Sequence, residues 1–186
     1  MTEKTHQRVN LKTKRLLLRP FKPEDIHDID EMGGFPTWDL SQPNPFTRQH
    51  AEEYLARLIL RSWDKEPVFA IVLNSKVVGI IGFDGEPEDL VAEFGYSLDK
   101  TYWGKGIMLE AAHKFLSWGF TEYDLVKISA SVDIANKRSV KVLKSRGMTK
   151  EAVFRKEKEI RGVRTDMIWY GLLAEEWMEY KSTLFK

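Results

Sequence analysis

The sequence contains no cysteine among its 186 residues. This absence excludes a disulfide framework, a thiolate nucleophile and a thiolate metal site. The four histidines, His6, His27, His50 and His113, lack the spacing of a metal site, and we expect each to be a surface residue. We therefore predict a protein whose chemistry uses neither a bound metal nor an enzyme thiol.

Long apolar runs and a strong charge of either sign are also lacking. No apolar stretch approaches the roughly 20 residues that span a bilayer, and the opening residues lack the apolar core of a signal peptide. The formal net charge is only +1, so bulk electrostatics favour neither nucleic acid nor an anionic membrane as a partner. We expect a soluble, cytoplasmic protein.

The composition that remains is that of one globular domain. Hydrophobic residues make up 42% of the chain and charged residues 31%, which is an ordinary globular balance. A length of 186 residues suits a single domain, and no repeat, low-complexity tract or long linker divides it. We therefore predict one domain over residues 1–186, with residues 1–10 as a flexible N-terminus.

The periodicity of the apolar residues predicts alternating strands and helices. Branched and alternating runs predict strands at residues 14–20, 68–73, 76–83, 91–98, 126–132, 150–160 and 164–173. Apolar residues at helical spacing predict helices near residues 23–32, 47–63, 108–118 and 136–145, with a short helix around Trp177. This order is a mixed α/β plan, and we expect one central sheet with helices on both faces.

A glycine-containing loop, Tyr102–Met108, stands between a predicted strand and a predicted helix. Glycine allows close approach of a ligand to the backbone, and N–H groups at a helix start attract phosphate. A tight turn without a ligand is equally consistent with the loop alone. Two phosphate motifs are excluded, because Lys105 is followed by Gly106 rather than Ser or Thr, and Leu109 occupies the third glycine position of the dinucleotide fingerprint.

Two further segments carry polar residues that suit a binding site. Asn136 and Ser139 begin a predicted helix, and both residue types are common helix caps, so a capping role is the simpler interpretation. Glu93 lies on the alternating strand of residues 91–98, where a carboxylate is usually solvated or paired. Neither segment defines a function by itself.

Several short segments occur in a characteristic order along nearly the whole chain. They are Thr13–Pro20 with Asp25, Gly79–Gly82, Glu93–Tyr96, Tyr102–Gly106, Glu110–Ala111, Asn136–Ser139, Lys144–Met148 and Asp166–Tyr170. Each is common alone, but in this order and spacing they resemble the GNAT acetyltransferase superfamily, and more closely its branch of ribosomal-protein N-terminal acetyltransferases.

The resemblance implies a mostly antiparallel mixed sheet, splayed into a V-shaped cleft that binds acetyl-CoA. The cleft would open between the strands of residues 91–98 and 126–132. The residues that the resemblance assigns to the cofactor are Tyr96 and Leu98 for the pantetheine arm, Trp103, Gly104, Lys105, Gly106, Ile107 and Met108 for the pyrophosphate, and Asn136 near the thioester.

The resemblance also implies the catalytic groups. Glu93 is the expected general base, with Glu86 acting through a water as the alternative. Many relatives place a tyrosine acid where this sequence has Leu143, so Ser139 or solvent is expected to protonate the departing thiolate. Trp38, in a loop rich in proline, is expected to line the acceptor pocket.

We therefore predict an acetyl-CoA-dependent N-acetyltransferase that acts on a primary amine, by direct attack in a ternary complex. A protein N-terminal α-amine is the favoured acceptor, because the resemblance to the ribosomal-protein branch implies it. Such an amine titrates near pH 8 and needs less help from a base than lysine. A small amine such as a polyamine, amino sugar or antibiotic is the alternative, and a non-catalytic acyl-CoA-binding module is the third possibility. We expect a monomer or homodimer with no nucleic acid or membrane partner.

Overall fold

The computed structural model describes residues 6–34, 45–160 and 162–183. Eight strands form one sheet. They are β1 (Leu11–Lys12), β2 (Leu16–Arg19), β3 (Val68–Leu73), β4 (Lys76–Phe83), β5 (Val91–Leu98), β6 (Lys127–Asp133), β7 (Thr149–Ile160) and β8 (Val163–Leu173). The helices are α1 (Ile26–Met32), α2 (Arg48–Leu60), α3 (Ile107–Glu122), α4 (Lys137–Lys144) and α5 (Ala174–Thr183). None of the helices in these ranges is long and apolar enough to cross a membrane.

The strand order across the sheet is β1-β2-β3-β4-β5-β6-β8-β7. Every neighbouring pair is antiparallel except β5 and β6, which run parallel. The predicted mixed, mostly antiparallel sheet is therefore confirmed. Strand β1 was not predicted, since Leu11–Lys12 is too short to show a period, and β2 begins at Leu16 because Thr13 N donates to Leu16 O in a turn (3.0 Å).

Strands β5 and β6 diverge soon after they begin. Three positions pair, namely Val91 with Lys127, Ala92 with Ile128 and Glu93 with Ser129. Strand β5 nevertheless stays paired with β4 as far as Leu98, and β6 stays paired with β8 as far as Asp133. The sheet therefore splits beyond Glu93 into two halves, which confirms the predicted V-shaped splay.

Helices cover both faces of the sheet, as predicted. On one face α1 and α2 bury Ile29, Leu55 and Leu58 against β3 and β4. On the other face Phe115 of α3 packs on Phe83, with ring centroids 5.0 Å apart, within an aromatic cluster. Such pairs bury large apolar areas with specific geometry, so this cluster fixes α3 with its N-terminus at the split.

A buried ion pair joins the end of β2 to a 3-10 turn, Pro23–Asp25, that precedes α1. Arg19 Nη1 and Nη2 lie 2.7 and 2.6 Å from the two carboxylate oxygens of Asp25, and Lys22 N donates to the same carboxylate at 2.9 Å. Asp25 is only 3% exposed. The two oxygens are thus satisfied by charge-assisted hydrogen bonds, the condition under which a buried carboxylate is tolerated.

The N-terminal residues that the structure describes make specific contacts. The ring of His6 stacks on Tyr123 with centroids 4.1 Å apart. Arg8 Nη2 donates to the carbonyl of Ile59 at 2.5 Å. Residues 1–5 of the segment predicted to be flexible lie outside the described ranges, whereas these contacts hold its second half against α2 and the end of α3.

Candidate active site

The split between β5 and β6 opens a cleft of about 790 Å³. Most of the site residues predicted from the sequence line it, namely Glu93, Tyr96, Leu98, Trp103, Gly104, Gly106, Ile107, Met108, Asn136 and Ser139. Lys105 lies in the same loop but is not among the lining residues. Trp38 falls outside the described part of the chain. The structure thus gathers in one place residues that lie up to 46 positions apart in the sequence.

The loop before α3 has the backbone shape of an anion cradle. Gly104 and Gly106 have φ angles of 76° and 72°, in the left-handed region that glycine adopts without strain. Gly106 is the N-cap of α3, so the N–H groups of the first turn, at Ile107 and Met108, begin at the cleft wall. Free N–H groups and the positive end of the helix dipole favour a phosphate at this point.

A set of hydrogen bonds made by Arg15, Thr13 and Glu110, here called the bracket, holds this loop from outside the cleft. Arg15 Nε donates to Glu110 at 2.6 Å, and Arg15 Nη1 donates to the carbonyl of Lys105 at 2.9 Å. Thr13 Oγ1 also donates to Glu110 at 2.6 Å. Partial burial would raise the pKa of Glu110, but the hydrogen bonds from Thr13 and Arg15 together lower it. The sequence did not predict this bracket, although Arg15 and Glu110 both lie in the segments that carry the resemblance.

A second contact ties the loop to α4 across the split. Trp103 Nε1 donates to the carbonyl of Leu98 at 2.9 Å, which fixes the indole ring beside the end of β5. The guanidinium of Arg138 lies 4.6 Å from the centroid of that ring, in a cation–π contact. Arg138 also lines the cleft and was not predicted, because nothing in the sequence showed that α4 faces Trp103.

Ser139 is held by both α4 and β5. Asn136 caps α4, since its Oδ1 accepts from Ser139 N at 3.1 Å. The Oγ of Ser139 lies 2.7 Å from the phenol oxygen of Tyr96. Burial raises the pKa of Tyr96, although the hydrogen bond with Ser139 acts in the opposite direction, so the phenol stays protonated. Leu143, at the position where the resemblance would place a tyrosine acid, also lines the cleft.

Glu93 lies where β5 and β6 separate. Ser131 Oγ of β6 donates to its Oε1 at 2.7 Å, a partner that the sequence did not reveal. Side chains alternate along a strand, so Glu93 and Tyr96 point to opposite faces of β5. Glu86, the alternative base, is exposed, binds Lys65 Nζ at 3.0 Å and is not among the lining residues of the cleft.

A second carboxylate and a cation complete the cleft near Glu93. Asp84, which follows β4, lines the cleft and donates its backbone N–H to the carbonyl of Glu93 at 2.8 Å. Lys158 reaches the cleft from β7. Among the described residues no cluster of histidine, aspartate and glutamate could hold a metal ion. The groups present can therefore cradle an anion, accept a proton and donate one.

Comparison with known proteins gives a consistent result. Residues 15–149 match the family model described as an acetyltransferase (GNAT) domain. A curated protein of Bacillus licheniformis, named uncharacterized N-acetyltransferase p20, is 31% identical over 173 residues, which cover 90% of this chain and 97% of that protein.

Solved structures show the same similarity in three dimensions. A GNAT-family acetyltransferase from Bacillus anthracis superposes with a TM-score of 0.77 at 26% identity, over 90% of this chain and 99% of that chain. The ribosomal-protein-S5-alanine acetyltransferase of Vibrio fischeri superposes with a TM-score of 0.78, also at 26% identity, over 91% of this chain and 98% of that chain.

Proposed function

This chain belongs to the GNAT acetyltransferase family, and we propose that it transfers the acetyl group of acetyl-CoA to the α-amine of a protein N-terminus. The observation that carries the proposal is the cleft itself. Glu93 and Tyr96 extend from opposite faces of β5, and Tyr96 forms a hydroxyl pair with Ser139 of α4. The similarity to a ribosomal-protein-S5-alanine acetyltransferase supports a protein acceptor.

The residues of the cleft fit acetyl-CoA. The left-handed glycines Gly104 and Gly106 and the N–H groups of Ile107 and Met108 would hold the pyrophosphate. Beyond Glu93, the edge of β5 that faces away from β4 pairs with no strand among the described residues, so its backbone groups can pair with the amides of the pantetheine arm, although the carbonyl of Leu98 already accepts from Trp103 Nε1. When bound, acetyl-CoA supplies an acetyl thioester.

Glu93 is the proposed general base. An amine attacks only in its neutral form, so its proton must pass to an acceptor. Ser131 occupies Oε1 of Glu93, which leaves Oε2 to receive that proton. An α-amine titrates near pH 8, whereas lysine titrates near 10.4. Removing the proton of an α-amine therefore needs only a weak base. Glu93, whose carboxylate already accepts a hydrogen bond from Ser131, is a base of that kind.

Ser139 is the proposed donor to the departing thiolate, and Tyr96 is the residue that positions it. The phenol of Tyr96 stays protonated, and it lies within hydrogen-bond distance of both Ser139 Oγ (2.7 Å) and the Ser139 carbonyl (3.2 Å). Either hydroxyl can donate in the first of these bonds; in the proposed role the phenol donates to Ser139 Oγ, which frees the serine proton to point into the cleft. The cap by Asn136 fixes the backbone of Ser139 at the same time. This pair supplies a hydroxyl donor in a protein that has Leu143 in place of the family's tyrosine.

Glu93→Gln should lower turnover at neutral pH by at least about tenfold, the lower end of the usual acid–base contribution. Glutamine keeps the size of the side chain and its contact with Ser131 but removes the proton acceptor. The deficit should shrink as pH rises and the amine loses its proton unaided. Steady-state rates between pH 6 and 10, followed through release of free thiol, measure both effects.

Glu86→Gln is the matched comparison for this prediction, since Glu86 binds Lys65 outside the cleft. A lower rate in Glu86→Gln, together with a normal rate in Glu93→Gln, would transfer the role of base to Glu86. A deficit in Glu93→Gln that stays constant up to high pH would instead assign Glu93 to acceptor binding.

Ser139→Ala and Tyr96→Phe should each lower kcat by about tenfold or more and change the affinity for acetyl-CoA much less. Ser139→Ala removes the proposed donor at the thiol end and Tyr96→Phe removes the hydroxyl that positions it, and both changes leave the glycine cradle intact. Asn136→Ala should also lower turnover by more than it weakens cofactor binding, since it releases the backbone of Ser139. Stopped-flow rates and calorimetric affinities separate the two quantities. Wild-type rates with only a lower Tm would show that these residues are structural.

A small cationic amine is the second candidate acceptor, and one observation favours it. Asp84 and Glu93 both line the cleft, and two carboxylates suit a polyamine or an amino sugar. A screen of N-terminal peptides and small amines with acetyl-CoA, read through thiol release, separates the two acceptor classes. Turnover with peptides supports the proposal, whereas turnover with small amines alone would overturn it. A non-catalytic module would release no thiol with any acceptor.

A further inference from the structure

Strand β7 is interrupted by a bulge in its pairing with β8. Phe154 pairs with Met167 and Lys158 pairs with Thr165, so four steps along β7 match only two steps along β8. Lys156, inside the bulge, has a φ of 52°, in the left-handed region that residues other than glycine seldom adopt. Bulges of this kind often lie beside active sites, where they redirect a side chain.

Hydrogen bonds from β8 and to β8 hold this bulge. Lys156 N donates to Asp166 Oδ1 at 2.9 Å, and Trp169 Nε1 donates to the carboxylate of Glu157 at 3.1 Å. Arg164 Nη1 donates to the carbonyl of Glu157 at 3.4 Å. A strained backbone persists only where its surroundings fix it. Side chains of β8 therefore specify the shape of β7 at this point.

The residue that follows the bulge lies on the same face of the sheet as Glu93. Ser131, which donates to Glu93, pairs with Trp169 of β8, and alternate residues of β8 share that face as far as Thr165. Lys158 pairs with Thr165 and so lies on this face as well. On the same face α1 and α2 cover β3 and β4, and their core contains no residue of β6, β7 or β8 within the described ranges.

Lys158 is a partly buried cation that lines the cleft. In the part of the chain that the structure describes, no carboxylate lies within 4.0 Å of its ammonium group. The acids on either side of it are engaged elsewhere, since Glu157 accepts from Trp169 and Glu159 lies 3.5 Å from Arg164. A charge that is partly removed from water is stabilised by an opposite charge. The hairpin of β7 and β8 thus presents to the cleft a cation whose partner has to come from a ligand.

The strand register gives the separation between this cation and the proposed base. Ser131, the hydrogen-bond partner of Glu93, pairs with Trp169, and Lys158 pairs with Thr165, four residues away along β8. At about 3.3 Å per residue, the backbone of Lys158 lies about 13 Å along the strands from the level of Ser131. An extended peptide whose amine lies at Glu93 covers that distance in about four residues, and the flexible four-carbon stem of lysine widens the range to roughly the third to sixth residue.

We propose, on the basis of the proposed function, that Lys158 selects acceptors that carry a carboxylate a few residues after the amine, and that the bulge positions Lys158 for this role. The α-ammonium group of such an acceptor meets Glu93 and Asp84, while its carboxylate pairs with Lys158. Opposite charges at the two ends of the site then set the direction in which the acceptor lies. A polyamine, which is cationic along its whole length, is repelled at Lys158.

The test uses pairs of peptides that differ in a single Asp or Asn, moved from the second to the seventh residue. At one position in the expected range, Asp should lower KM by about fivefold relative to Asn, with little change in kcat and less advantage at high salt. Lys158→Glu should invert the preference in favour of Lys at that position. Arg155→Glu is the matched control, because Arg155 is exposed on the same strand and does not line the cleft. Equal KM values at every position, or an inversion in both variants, would overturn the proposal.

The positioning role of the bulge has its own test. Asp166→Ala removes the acceptor of Lys156 N and should reduce the preference for Asp over Asn without changing kcat for the Asn peptide, whereas Asp166→Asn keeps an acceptor oxygen and should retain the preference. A full preference in Asp166→Ala would show that the bulge does not position Lys158.

Calorimetric binding of the same peptides to the CoA-loaded protein separates this proposal from the proposed function. Peptides that bind with the Asp preference but are not acetylated would overturn the function and leave the selection by Lys158 standing. Peptides that are acetylated without the preference would do the reverse. Peptides that neither bind nor react would overturn both.

Discussion

Gly106→Val should abolish the stabilisation of the protein by acetyl-CoA while the domain still folds. Gly106 has a φ of 72°, where a β-branched residue is strained by about 1–3 kcal/mol. An added Cβ would lie 3.5 Å from Arg15 Nη2, which is ordinary contact, so the damage comes from the backbone. The loop would relieve the strain by turning its N–H groups away from the cleft.

Thermal unfolding with and without acetyl-CoA measures this effect. At a ligand concentration one hundred times Kd, the wild type should gain about 2.7 kcal/mol. Gly162→Val is the matched control, because Gly162 has a φ of 78°, no atom within 4 Å of an added Cβ, and a place in the β7–β8 turn. That variant should lose stability and keep the ligand effect. If acetyl-CoA stabilised Gly106→Val as much as the wild type, the glycine loop before α3 would not be part of the cofactor site.

Asp25→Ala should destabilise the domain by about 3–5 kcal/mol, the usual cost of removing one partner from a buried ion pair. The change leaves Arg19, whose side chain is only 14% exposed, without its two charge-assisted hydrogen bonds, and it frees Lys22 N as well. Urea unfolding at neutral pH gives the loss directly. Turnover per folded molecule should stay close to wild type, since the pair lies outside the cleft.

Two comparisons sharpen this test. Removing the exposed pair of Lys65 and Glu86 should cost less than about 1 kcal/mol. The double variant Arg19→Met with Asp25→Leu should recover much of the stability lost in Asp25→Ala, because apolar pairs often replace buried ion pairs at little cost. A loss below about 1 kcal/mol in Asp25→Ala would show that the pair contributes little.

The elements that position the site follow from local patterns in the sequence. Alternation identified β5 with the bounds that the structure has, and the glycines before an apolar helical stripe located the start of α3. The resemblance then supplied the splay of β5 from β6, which periodicity alone cannot show. These features were predictable because each depends on residues close together along the chain.

The contacts that tune the site depend on residues far apart along the chain. Tyr96 meets Ser139 across 43 positions, and Arg15 meets Glu110 across 95. Contacts at such separations along the chain produce no periodic pattern in the sequence, because both depend on how α3 and α4 pack on the sheet. His113 was expected at the surface and is instead partly buried against Trp177, since α5 folds back over α3.

The short pairing of β5 with β6 also affects how the two half-sheets hold together. Long antiparallel ladders bind β1–β5 on one side and β6–β8 on the other, but the seam between the halves has only three paired positions. Beyond them, the contacts between Trp103 and Arg138 and between Tyr96 and Ser139 bridge the gap. In the proposed function, an extended ligand in the cleft would take the place of the missing rungs, so it would complete the architecture as well as enter the reaction.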